Sequence, residues 1–167
     1  MISATSSANA DTMEALQHDK HSGCVVCGQC GPGRLGLAFT VLDDGSVTAD
    51  FDCDEAFEGY DGMLHGGVIS TIADGAMTNC LFAHGIHAVT GELTVRFRHP
   101  VELGEPLTVT ARITRDASPL FLVEAELVQA GSLKAKAKAK FVKIACQLPH
   151  RTRRTIPVAS KAPTPLS

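Results

Sequence analysis

At 167 residues, 44% of them apolar, the chain is long enough for one domain and can bury a core without staples. Its formal charge of -3 lacks the basic surplus of a bulk nucleic-acid binder, and no apolar run is long enough to span a bilayer. The first twenty residues lack a secretory apolar stretch, and the six cysteines do not form a secreted disulfide framework. A cytoplasmic setting with reduced thiols is therefore expected.

Residues 1–20 are polar and rich in small side chains, and are expected to form a mobile N-terminal segment. A Cys-rich lead-in, 21–34, opens the folded domain expected over 21–146. In it His21, Cys24, Cys27 and Cys30 stand three apart, the residue types of a tetrahedral zinc set. A ferredoxin run would need a further cysteine where Arg34 stands. Four ligands packed so closely usually need a second knuckle, and there is none, so free or packing thiols are expected and no cofactor is required.

Leu35–Leu42 and Ser46–Cys53 are β-rich runs joined by Asp43-Asp44-Gly45, which suits a tight hairpin. From Gly66 to Phe82 the apolar period becomes helical, with Val68, Ile69, Ile72, Ala73, Ala76, Met77, Cys80 and Leu81 on one face. Gly85 is the residue type that closes such a helix. Four alternating strands follow, with Leu93, Val95 and Phe97 opposite Thr94, Arg96 and Arg98 in the first, and a lysine row from Lys134 to Lys140 facing outward in the last. Short turns at Leu103-Gly104, Asp116-Ala117-Ser118 and Gly131-Ser132 make the strands antiparallel. Residues 147–167, with four prolines and Arg151, Arg153 and Arg154, read as a flexible tail. Two strands, one long helix and four strands give an α+β domain: a curved antiparallel sheet of about six strands wrapped around a central helix.

His65-Gly66-Gly67 ends a glycine-rich loop and opens the helix. The first amides of a helix lack intrahelical partners and sit at its positive end, and glycine lets a ligand approach them. They form a ready oxyanion site. Gly67, Ser70, Thr71, Asp74 and Thr78 fall on the face opposite the apolar stripe. Asp74 there is either a solvated helix residue or a reactive carboxylate. A histidine placed like His65 commonly caps the helix.

His65-Gly66-Gly67, the acid Asp74 and the strand TGELTVRFRHPVELGEPL closely resemble the hot-dog thioesterase superfamily, in particular its phenylacetic-acid-pathway and 4-hydroxybenzoyl-CoA thioesterase branch. The likeness runs from about Leu35 to Ile144. It implies a hot-dog fold and hydrolysis of an acyl-CoA thioester to a carboxylic acid and free CoA. Gly66 would supply the oxyanion N–H, Asp74 the general base or nucleophile, and Thr90 a hydroxyl that positions water. His65 and Gly67 belong to the same motif. Two subunits would contribute to each site, so a homodimer or dimer of dimers is implied, with no nucleic-acid or membrane partner. Where many members have Asn, six residues before the His, this chain has Gly59; Glu58 and Asp61 are nearby loop acids. Arg96, Arg98 and His99 are candidates for the phosphates of CoA, although an outward strand face explains them too. Two other readings stand beside hydrolysis: a non-catalytic acyl-CoA-binding dimer, and a hydratase or dehydratase with His65 as base.

Overall fold

The computed structural model describes residues 4–28 and 33–144; Cys30, Cys146 and the tail expected over 147–167 lie outside them. Its elements are helix α1 (Ala4–His21), strands β1 (Thr40–Val41) and β2 (Val47–Asp52), helix α2 (Gly66–Ala83), and strands β3 (Ala88–Phe97), β4 (Pro106–Ala117), β5 (Leu120–Gln129) and β6 (Ser132–Lys143). One antiparallel sheet runs in the order β1-β2-β4-β5-β6-β3. Strands β5 and β6 carry the expected alternation, with Ala135, Ala137, Ala139 and Phe141 inward. The outward Lys136 lies 2.9 Å from Glu126 and Lys138 lies 2.7 Å from Glu124. This is an α+β hot-dog fold.

Helix α2 crosses the concave face on its way from β2 to the far edge strand β3. The sheet makes room for it with small residues: Ala111, Ala125 and Ala137 stand in one cross-strand row, all buried. Larger side chains in that row would occupy the volume taken by the helix, whose Ile72, Ala76 and Met77 are fully buried. The helix ends as its sequence suggests. Gly85 has φ +68°, its N–H donates to Phe82 O, and Ile86 N–H donates to Leu81 O, the paired bonds of a Schellman cap.

Two expectations need correction. The stretch expected to be mobile is helical from Ala4 onward and packs on α2. Met13 is buried, Ala10 and Leu16 pack beside it at three-residue spacing, and Gln17 Nε2 donates to Asn79 Oδ1 at 2.7 Å. A polar composition hid a short apolar stripe. Because α1 covers that side of α2, Thr78, expected on the face opposite the apolar stripe, is buried, as is Asn79. The expected first strand shrinks to Thr40–Val41, because Leu35 and Leu37 N–H groups bond the Cys-rich turn, at Val25 O and Val26 O.

Replacing Ala125 with Leu should overpack the row beneath α2. We expect a loss of about 1–3 kcal/mol in urea unfolding, with an unchanged denaturant slope.

Candidate active site

The loop before α2 is held by its own backbone. Gly59 N–H donates to Met63 O and Met63 N–H to Tyr60 O, closing a turn in which Gly62 has φ +72°. Glu58 accepts from Gly62 N–H at 2.8 Å, so this acid serves the turn, and Asp61 is exposed on it. His65 N–H donates to Phe57 O, and Leu64 N–H to Val101 O. The Val101 segment is in turn held by Gln129, a buried residue whose amide donates to Glu102 O and Glu105 O and accepts from Glu102 N–H. No pattern in the sequence marks Gln129 as this clamp.

His65 is the N-cap of α2. Its Nδ1 accepts from Gly67 N–H at 2.9 Å, with extended backbone at φ -61°, ψ 131°. The Gly67 amide is thereby used within the loop. The Gly66 N–H is the one left facing out at the positive end of the helix. A depression of about 270 Å³ opens there, lined by Gly59, Tyr60, Leu64, His65 and Gly66. Tyr60 is 80% exposed and Phe97 53%, and the Phe97 ring lies 3.5 Å from where a Cβ on Gly66 would stand. Gly59 is packed against the cap: a Cβ on it would lie 3.0 Å from His65 Cα. A larger residue here would push on the histidine.

Asp74 sits half-buried on α2, and Thr90 Oγ1 donates to its Oδ1 at 2.7 Å. The contact depends on a bulge. In β3, Glu92 pairs with Lys140 on the outer face, while Thr90 pairs with the inward-facing Phe141; Gly91 is the extra residue between them. Simple alternation would put Thr90 on the same face as Thr94 and Arg96. The bulge turns it toward the helix.

Arg96 and Arg98 do not join this group within the chain. They lie across the sheet from α2, in an outer groove of about 400 Å³ shared with Thr94, Lys136 and Lys138. The more voluminous depression, about 570 Å³, is lined by Asp52, Asp54, Glu55 and Glu105. Those carboxylates would repel a polyanion such as CoA. Among the cysteines, Cys80 and Cys53 are buried, which raises their thiols to about 12 and about 11 and leaves them unreactive. In the hydrogen-bonded pair Cys24 and Cys27, Cys24 is lowered, first by its hydrogen bond with Cys27 and then by His21, while Cys27 is raised, first by the same bond.

If His65 acts as a cap, His65→Ala should cost about 1 kcal/mol in chemical unfolding, whereas His65→Asn, itself a good cap, should keep most of that stability.

Comparison with known proteins matches residues 61–136 to the family described as Thioesterase superfamily. The chain is similar to a Saccharolobus solfataricus protein named "Putative esterase", 32% identical over 99 residues, which are 58% of this chain and 70% of that protein. It is also similar to human acyl-coenzyme A thioesterase 13, 25% identical over 101 residues, 59% of this chain and 72% of the relative. Its fold resembles that of the Escherichia coli PaaI protein from the phenylacetic acid degradation operon, with a TM-score of 0.72 over 85% of this chain and 97% of that one. At 20% identity that likeness concerns architecture alone. This chain belongs to the thioesterase superfamily.

Proposed function

We propose that the protein hydrolyses an acyl-CoA thioester to a carboxylic acid and free CoA, at a site that two copies of the chain build together. The observation that carries this reading is the Thr90–Asp74 hydrogen bond, placed on the edge strand beside the same helix whose first amide is open. Gly66 and Asp74 are eight residues apart, about 12 Å along the helix. A reacting carbonyl must lie about 3 Å from both its oxyanion donor and its attacking group. One chain therefore cannot serve both ends of one substrate.

A second copy resolves this. The outer edge of β3 pairs with no described strand. Along it Thr90 stands by Asp74 and Phe97 by Gly66. Antiparallel pairing of β3 with its own copy about a two-fold axis exchanges those ends, bringing each Asp74 toward the helix N-terminus of the other chain. The homodimer, or a pair of such dimers, is then the working unit, and the cytoplasm its setting.

In such a site the Gly66 N–H stabilises charge developing on the thioester oxygen. Asp74 either takes a proton from an attacking water or attacks the carbonyl carbon itself, and Thr90 holds the carboxylate in place. On the first route the C–S bond breaks and the departing sulfur takes up the proton that Asp74 removed from water; on the second the thiolate leaves first, and water then cleaves the acyl–Asp74 anhydride, giving the carboxylic acid, the restored carboxylate and the proton that the CoA sulfur takes up. His65 is occupied as a cap and has no part as a base here, which argues against the hydratase reading. Gly59, with no amide to offer a substrate, favours the alternative of a non-catalytic acyl-CoA-binding dimer.

Asp74→Asn should cut turnover by about 10²–10⁴-fold in a thiol-release assay across short, long and aromatic acyl-CoA esters. Near-normal turnover in that variant would remove Asp74 from the mechanism. Wild-type protein that acyl-CoA stabilises thermally, by about 2.7 kcal/mol at 100 times its dissociation constant, without releasing thiol would instead be a binding protein.

A further inference from the structure

Helix α1 ends at His21, and the chain turns at once. Cys24 N–H donates to His21 O at 2.8 Å, Gly28 N–H to Cys24 O at 3.0 Å, and Val26 N–H to the Cys24 sulfur at 3.4 Å. Only glycine fits at position 28, since a Cβ there would meet both Cys24 O and the Arg34 guanidinium. The turn thus points two sulfurs and one imidazole at a common centre. His21 Nδ1, Cys24 Sγ and Cys27 Sγ all lie within 4.8 Å of one another, and the Cys27–His21 pair is 3.8 Å apart.

The 3.8 Å between His21 and Cys27 is what a tetrahedral ion requires. With metal–sulfur bonds near 2.3 Å and metal–nitrogen bonds near 2.0–2.1 Å, ligand atoms around zinc stand about 3.6–3.8 Å apart. Packing fixes the ring from behind: His21 meets Phe82 edge-on, centroid to centroid 4.7 Å. The Val26 N–H that donates to the Cys24 sulfur is the kind of bond that steadies a metal thiolate. Two thiolates would neutralise a dication, and soft sulfur with imidazole selects zinc over calcium or magnesium. All three ligands are partly exposed, so an ion can enter and solvent can fill a fourth position.

We propose that His21, Cys24 and Cys27 bind one zinc ion, which fastens the end of α1 and the following turn onto the central helix. The turn seats Val26 on Gly75 so closely that a Cβ there would collide with the Val26 side chain. Gly75 follows Asp74 in the helix. The ion would therefore fix the layer behind the carboxylate, as a structural element and not as a reactant.

The test is the metal content of protein purified without a polyhistidine tag or chelator. Mass spectrometry should find about one zinc per chain, with the content of Cys24→Ser and Cys27→Ser below about one tenth of that and Cys53→Ser unchanged. Cobalt titrated into metal-stripped wild-type protein should produce visible d–d absorption and a thiolate-to-cobalt band in the near ultraviolet. That readout stands even where a cysteine variant fails to fold. Wild-type protein that takes up neither zinc nor cobalt would overturn the proposal. So would zinc retained by the Cys24→Ser/Cys27→Ser double variant, or fresh protein whose mass shows Cys24 and Cys27 joined as a disulfide.

Discussion

The central helix must be buried on most of its sides while keeping two polar points open, its first amide and the Asp74 carboxylate. The rest of the molecule follows from that constraint. Apolar burial is worth roughly 25 cal/mol per Å², and α2 obtains it from a sheet thinned by the alanine row and from α1 laid across its second half. The N-terminal amide stays open because the His65 cap consumes the Gly67 N–H and leaves that of Gly66. The carboxylate stays partly open because it lies beside the edge strand, whose outer edge pairs with no described strand. Stability and the proposed chemistry thus draw on different stretches of one helix.

Much of this was legible in the residues. The change from alternating to helical spacing at Gly66, the closing Gly85 and the inward alanines of the last strand gave the architecture directly. The motif His65-Gly66-Gly67 with Asp74 marked the candidate site. What the sequence concealed was governed by tertiary contact or by single-residue irregularity. A bulge at Gly91 inverts the face of every residue before it, so Thr90 reads as outward until the register is seen. Helix α1 reads as loose because its stripe of Ala10, Met13 and Leu16 is narrow and its other positions are polar. Gln129 acts through the chain reversal that brings residues 101–105 beside it, which no local pattern encodes.

The loop at Gly59 shows how one substitution can be structural as well as chemical. The lack of a side chain lets the turn lie directly against His65 Cα. An asparagine placed here would require the His65 cap to give by a few tenths of an ångström. The two aromatic rings that flank the Gly66 amide, Tyr60 and Phe97, are largely exposed in the single chain. Exposed aromatics beside a polar site are common where a ligand or a second subunit completes the surface. This agrees with an unpaired β3 edge, which in a lone protomer would invite association.

Mixing two inactive variants tests the shared site most directly. Gly66→Pro removes the amide hydrogen at the helix position where proline is best tolerated, after a residue already in extended backbone. Asp74→Asn removes the carboxylate. Co-refolded one to one, the two should recover about one quarter of the wild-type rate, because half of the dimers are mixed and each holds one intact site. If each chain carried its whole site, the mixture would stay as inactive as its parts, and the account would be wrong.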